Sequence, residues 1–459
     1  MFLRLLLCVC CFIVILGPAA AAEIEAPAAI HFSDQDRVLV IAPHPDDETI
    51  GAGGVIQQAR KAGAKVKVCL LTQGENNEFA FIVYERRIVL KPKEFLRLGE
   101  VRRRETVDAM KLLGVDAADV VSLGYPDYGT LELFLKYWGD VKPFRSMLSR
   151  VRKVPYAEAL TPGAAYLGDN LLTDLKKVIA DYNPTKIFVT HPGDVNRDHR
   201  AAYLFTRVAL WTLEDEHKIT PPELYPFIVH VVSWPVPRGY RPELPSTIPP
   251  GFDVKSLVWK TQELDSLEIS KKFDAVLEYP SQIKYAPRYL VTFARRNELF
   301  GDFAPLRLER QLVSDAGIVW SDVPSPNDSK RHLKSNGTKH FAVTAYARQG
   351  NYLVIKLLLR HAMDKEFGIT VSLAGYSPTV PFEQMPKISL ISSISGFYVK
   401  DKKKTIPSKD VIVIEKDKEL IFKVPLTLLG NPDRVLSSAR TALYDLAFDE
   451  TPWRVLELP

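Results

Sequence analysis

Cysteine is the residue this chain most nearly does without. Of 459 residues four are cysteine. Three of them, Cys8, Cys10 and Cys11, lie in the first 22 positions, without the small residues of a lipoprotein cleavage box, and read as apolar filler. With that segment removed Cys69 stands alone, which excludes an internal disulfide and a cysteine-based metal centre. A dominant charge of one sign is lacking too: 60 Lys and Arg against 55 Asp and Glu leave a net +5. The lysine run Lys402-Lys403-Lys404 is short and reads as a solvated loop, and no basic stripe is interleaved with aromatics. A nucleic-acid partner is therefore not expected. There is no clear internal repeat and no long low-complexity stretch. Residues 5–16 form an unbroken apolar run, but it falls short of the ~20 residues a membrane span needs.

That run has a different reading. Arg4 precedes it, Gly17-Pro18 break it, and Ala20-Ala21-Ala22 supply the small residues a signal peptidase requires. Residues 1–22 are expected to be a signal peptide, and the mature chain to start at Glu23. The protein is then exported, periplasmic or extracellular, with no stable membrane insertion after cleavage; an uncleaved anchor is the alternative. The length suggests two or three domains and a core large enough to need no structural metal or disulfide.

From residue 38 the pattern alternates. Residues 38–42 and 66–71 are apolar runs of the kind expected for strands buried on both faces of a parallel sheet. Helical spacing over 50–62 joins them into a βαβ unit. Further helices are expected over 100–113 and 171–182, and further strands over 120–123, 186–190 and 227–233. Residues 238–258 are rich in proline and read as a long surface loop, after which helical spacing resumes over 261–277. The whole implies an α/β, Rossmann-like, mostly parallel sheet over residues 34–303, with its chemistry at the carboxyl ends of the strands. Beyond it, alternating or β-branched runs at 341–346, 352–359, 368–373, 411–414 and 420–424 predict an all-β sandwich over residues 316–459.

Two strings carry chemistry. Pro43-His44-Pro45-Asp46-Asp47-Glu48 follows the first strand directly, and Thr190-His191-Pro192-Gly193-Asp194-Val195-Asn196-Arg197-Asp198-His199 follows the strand at 186–190. Two His/Asp loops at two strand ends can converge on one ion. A hydrolytic zinc site needs three protein ligands and an open position, a count that His44, Asp47 and His199 meet. For a lone aspartate the plain alternative is a loop residue capping the next helix.

The first string resembles the [A/P]-H-P-D-D-E signature of the PIG-L/LmbE-like N-acetylglucosaminyl de-N-acetylases, and the second resembles their D-x-x-x-D-H motif. Thr72-Gln73-Gly74, the helix with Arg102, Glu105, Ala109 and Leu113-Gly114, and Gly124-Tyr125-Pro126-Asp127 are similar to further family patterns; so, over 272–282, are Lys272, Ala275, Ser281 and Gln282. The resemblance covers residues 37–300. It implies that His44, Asp47 and His199 are zinc ligands, that Asp46 is the general base, and that Arg102 and Asp127 face substrate. Asp198 would orient a ligand histidine or cap a turn. One departure stands out: where many relatives carry an oxyanion-stabilising histidine, this chain has Asn196, which can donate a hydrogen bond but cannot deliver a proton. His191 and His230 are candidate substitutes, the first otherwise shaping its loop and the second otherwise a core histidine.

The expected function is removal of N-acetyl groups from GlcNAc-containing glycans or glycoconjugates, with an amino-sugar glycan or glycoconjugate as the partner. The cofactor is Zn2+, although two His and one Asp do not exclude iron or another divalent metal. The alternatives are an amidase on another sugar conjugate and a non-catalytic glycan-binding protein. A dinucleotide role fails, because Gly51-Ala52-Gly53-Gly54 comes after the acidic loop, inside the helix start. The β-rich part faintly resembles carbohydrate-binding sandwiches of the family-9 type. Trp320, Tyr376 and Trp453 could stack on sugar rings there or, more simply, fill the core.

Overall fold

A computed structural model describes residues 29–85, 91–252, 257–324, 341–360, 367–443 and 446–459. Residues 1–22, expected to be a signal peptide, lie outside the described residues. Among the described residues no helix is long and apolar enough to cross a membrane.

The first sheet has seven strands in the order β3-β2-β1-β4-β5-β7-β6. Five run parallel: β1 (Arg37–Ala42), β2 (Lys65–Thr72), β3 (Val120–Tyr125), β4 (Lys186–Thr190) and β5 (Glu223–Phe227). Their apolar runs are continuous because both faces are covered. Helices α1 (Asp47–Lys61), α3 (Pro92–Leu112) and α7 (Ser266–Leu277) pack on one side. Helices α4 (Thr130–Lys136), α5 (Gly168–Tyr182) and α6 (Arg197–Asp215) pack on the other. A short helix, α2 (Glu78–Glu85), follows β2. The order reverses at β1 and β4, and in open α/β sheets such a switch point opens a crevice beyond the carboxyl ends.

Two sequence expectations need correction. The helix predicted over 261–277 begins at Ser266, and residues before it form β6 (Leu257–Glu263), paired antiparallel with β7 (Asn297–Phe303). A capping box of Asp265 and Glu268 sets that boundary. The strand predicted over 227–233 is instead β5, ending at Phe227. Just beyond, the Val229 and His230 amides turn away from the ladder to donate to the Asp194 carboxylate.

The rest of the chain forms two sheets face to face. One has the order β10 (Ser321–Pro324), β11 (Phe341–Gln349), β12 (Tyr352–Leu359), β18 (Glu419–Pro425), β17 (Ile412–Lys416), with β9 (Arg310–Gln311) on β11. The other runs β16 (Lys404–Ile406), β15 (Gly396–Asp401), β14 (Lys387–Ser393), β13 (Gly368–Tyr376), β19 (Arg434–Leu443), β21 (Arg454–Glu457), β8 (Leu306–Arg307), with β20 (Leu446–Glu450) on β19. Leu353, Ile355, Val371, Leu373, Leu390 and Phe422 fill the space between.

The sandwich is fused to the α/β layer. Tyr376, Phe382, Trp453 and Val455 belong to the same buried cluster as Phe134, Trp138 and Phe205. Tyr376 and Trp453 are each 2% exposed, which removes them as sugar platforms. Trp320 is half-buried, with the Lys356 ammonium 4.4 Å from its ring centre.

Candidate metal and catalytic site

The loop after β1 folds tightly. Asp46 has φ 117° and ψ −31°, a conformation side chains other than glycine rarely take. It stands at the N-cap of α1 but makes no side-chain cap. Strain held without a capping return is a mark of a functional position. Surroundings hold the turn in place: the Asp46 amide donates to Glu48 Oε2 at 3.2 Å, and Tyr279 donates its hydroxyl to Glu48 Oε1. Glu48 is fully buried, and that burial pushes its pKa up to about 7.

Asp47 is the meeting point of the two loops. Its Oδ2 lies 3.0 Å from His44 Nδ1 and 3.1 Å from His199 Nε2, and all three residues are buried. The far side of each ring is also held by carboxylate. His44 Nε2 lies 3.2 Å from Asp127 Oδ1 and 3.4 Å from Asp198 Oδ2, and His199 Nδ1 lies 3.2 Å from Asp194 Oδ2. Burial alone would lower both histidine pKa values, but the facing carboxylates outweigh it. His44 is raised well above the ordinary range and His199 to about 9. For Asp47 burial works upward and the two histidines, His199 foremost, hold it well below the usual carboxylate range. The spot therefore stabilises positive charge.

This donor set fits a divalent ion. His199 Nε2 is sealed from solvent with only the Asp47 carboxylate beside it, and the three side chains can each offer one ligand atom within 4.8 Å of the others. Carboxylates on the remote ring nitrogens are the usual supports of histidine ligands. A second group, His44, Asp127 and Asp198, also clusters. There Asp198 is already engaged, accepting from the Tyr128 and Thr130 amides at 2.5 and 3.0 Å and from the Thr130 hydroxyl at 2.5 Å. It thereby caps the start of α4 while facing His44.

Asp46, Arg102, Asp127, Tyr128, Asn196 and His230 line a cavity of about 910 Å³ beside these residues. Burial pushes the Asp46 carboxyl up to about 8, with Arg102 pulling down and Asp47 and Glu48 adding to the rise. Arg102 donates Nη1 to Gly74 O at 2.7 Å and Nη2 to Pro45 O at 2.6 Å, and its Nη2 reaches Asp46 Oδ2 at 3.3 Å. Gly74 is required for that approach: it has φ 62°, and a Cβ there would lie 1.9 Å from Arg102 Nη1. Asp127 takes the Asn76 amide on Oδ2 at 2.8 Å. Arg102 and Asp127 thus reach the cavity already braced by protein.

Asn196 caps α6, its Oδ1 accepting from the Asp198 amide at 2.8 Å, so its NH2 is the end left for a ligand. His191 lies away from the cavity. Its Nδ1 accepts from Gly193 N at 3.0 Å, its ring stacks on Trp259, and burial holds its pKa down to about 3. His230 is on the cavity wall, its ring 4.7 Å from that of His199, and burial depresses it to about 4.

Sequence reasoning did not single out Asp194. Its Oδ2 takes His199 Nδ1 and the Val229 and His230 amides, and its main chain takes Arg200 Nε at 2.5 Å. Burial raises its carboxyl, but His199, His230 and a hydrogen bond from the Asn196 amide win and hold it at about 2. The signal was present: Asp194 is the first aspartate of the D-x-x-x-D-H string. Arg200 carries the support outward, with Nη1 3.1 Å from both Thr451 O and Glu450 Oε1 of the sandwich. Trp453 N donates to Pro192 O at 3.1 Å.

Fold and site now define a class. Residues 39–210 match the PIG-L family, described as GlcNAc-PI de-N-acetylase, so the chain carries a PIG-L domain there. A 1D-myo-inositol 2-acetamido-2-deoxy-alpha-D-glucopyranoside deacetylase of Corynebacterium glutamicum (strain R) is 26% identical over 192 residues, 40% of this chain and 58% of the relative. The protein of the same name from Mycobacterium sp. (strain KMS) is 38% identical over 81 residues, 18% and 25%. The chain thus spans from a quarter to somewhat over half the length of these two curated relatives. Among solved structures, the N,N'-diacetylchitobiose deacetylase of Pyrococcus horikoshii is 19% identical, covering 58% of this chain and 82% of that one with a TM-score of 0.35. A conserved protein of Thermus thermophilus is 21% identical, covering 56% and 84% with a TM-score of 0.33.

Proposed function

We propose that the chain is a metal-dependent N-deacetylase, exported by its first 22 residues, that acts on a GlcNAc-containing glycan or glycoconjugate. Residues 34–303 form the catalytic unit and residues 316–459 an accessory sandwich. The reading rests on one observation above others: Asp46 is held in a strained turn at the edge of the cavity, next to a convergent His44, Asp47 and His199. The deacetylase relatives and the PIG-L domain support it.

In this mechanism His44, Asp47 and His199 hold the ion. A zinc or other divalent ion there would supply a Lewis acid for the acetamide carbonyl and make water a stronger acid. Asp127 and Asp198 fix the His44 ring, and Asp194 fixes that of His199. Arg102 keeps the Asp46 carboxylate turned to the cavity. In its ionised form, which a cation held by the neighbouring ligands would favour, Asp46 takes a proton from the attacking water as the water oxygen bonds to the acetamide carbon. The Asn196 amide steadies charge developing on the carbonyl oxygen. Asp46 then returns the proton to nitrogen as the C–N bond breaks, releasing acetate and a free amino sugar.

Exchange of Asp46 for Asn tests the assignment. Acetate release should fall by on the order of 10²- to 10⁴-fold, with one metal ion per chain retained. Loss of the metal instead would show that Asp46 is a ligand and the roles are misassigned.

A further inference from the structure

The outer wall of the cavity carries charge that deacetylation does not use. Arg238 and Arg288 both line it. They are tied together: Arg288 Nη2 reaches Arg238 O at 3.4 Å, and Gly239 N donates to Arg288 O at 3.0 Å. The Arg238 guanidinium lies 4.4 Å from the ring centre of Tyr289. Tyr289 stacks in turn on His230, whose ring faces His199. A column of rings therefore leads from a candidate metal ligand to this arginine.

Arg238 Nη1 is sealed from solvent without a hydrogen-bond partner. A buried charged donor with no acceptor is costly to the fold. Among the described residues neither Arg238 nor Arg288 forms an ion pair. A third guanidinium adds to the expense. Arg295 is buried behind the wall, its donors taken by the carbonyls of Thr292, Pro245 and Pro237. Burial and the charge of Arg238 both lower its pKa. The acids of the cavity are elsewhere: Asp46 is against Arg102, and Asp47 and Asp127 are against His44. A wall with no task beyond excluding water has no need of two arginines without ion pairs. An anion held at this wall would neutralise these like charges.

We infer that the substrate carries an oxyanion, a carboxylate or a phosphate, on the amino sugar or its neighbour, and that Arg238 and Arg288 bind it while the acetamide reaches Asp46. The inference rests on the deacetylase reading of the same cavity. Tyr128, exposed on the same wall, offers a ring face to the sugar between the two ends.

Three N-acetylated disaccharides of matched size test it: a neutral one, a 6-phosphorylated one and one bearing a uronic acid. Both kcat/KM for acetate release and calorimetric Kd are measured on the metal-loaded chain. At least one anionic probe should be favoured over the neutral one by on the order of tenfold or more. That preference should shrink with added salt and approach unity in the Arg238→Gln/Arg288→Gln double variant. Which anion is favoured identifies the chemistry. Arg288→Gln alone, an exposed change, should erode the preference in part and guards against misfolding of the double variant. Equal treatment of all three probes, or a preference that survives both variants, would overturn the inference. Failure to release acetate from any probe would sink the deacetylase reading, while the Kd comparison would still decide whether the arginines select an anion.

Discussion

The two loops that meet at Asp47 are built on opposite plans. The first, residues 43–48, carries strain in its own backbone at Asp46, and its braces, Glu48, Tyr279 and Arg102, all belong to the α/β layer. The second, residues 191–199, is a relaxed loop with an ordinary Asn196 cap, and it is braced from outside. Asp194 pins His199, Arg200 pins Asp194, and the sandwich holds Arg200 through Glu450 and Thr451. The difference teaches that Asp46 sits on local strain, whereas His199 depends on packing a whole sheet away. It also gives the sandwich a task that needs no sugar: it is the back wall of the second loop.

Breaking the first loop should cost rate and not stability. Asp46→Gly should abolish turnover while raising stability by about 1 kcal/mol, since glycine accepts φ 117° without strain; denaturant titration beside an acetate assay reads both. A drop in stability would mean that the turn is not strained.

Breaking the second should cost metal first. Asp194→Asn should weaken zinc binding by roughly 10- to 100-fold, as loss of a carboxylate behind a histidine ligand does, measured by competition with a chromogenic chelator. Arg200→Met should act in the same direction by about threefold to tenfold, because it unties Asp194 from the sandwich without touching a ligand. Unchanged affinity in Arg200→Met would show that the sandwich is not a brace. The last effect lies remote from both loops and touches stability alone. Burial pushes the Asp36 carboxyl up, but hydrogen bonds from Lys186, Thr185 and Ser33 outweigh it and hold it at about 2. A depressed folded pKa gives stability that is full above the unfolded value near 4 and is lost as pH falls towards 2. Asp36→Asn should therefore remove about 1–2 kcal/mol at neutral pH, and the deficit should vanish in acid unfolding curves below that window.

Much of this was legible in the chain. Strands buried on both faces leave unbroken apolar runs, so β1, β2 and β4 could be read directly, and the convergence of His44, Asp47 and His199 could be read because the loops that carry them lie directly behind two of them. The start of α7 was legible too, in Asp265 and Glu268, although helical spacing ran past that capping box into β6. What periodicity does not carry is contact across distance. The Asp194 carboxylate stops β5 by drawing off the Val229 and His230 amides, and Arg200 finds its partners some 250 positions later. For Tyr376 and Trp453 core is the simpler reading of the sequence and a sugar face the alternative, and the join between the layers decides that they are core.

The central claim is tested most directly by acetate release from N-acetylglucosamine oligomers by the purified chain, with chelator and with zinc restored. Release that stops with chelator and returns with one zinc per chain is the predicted result. No release from any acetylated amino sugar, with zinc bound at one ion per chain, would contradict it.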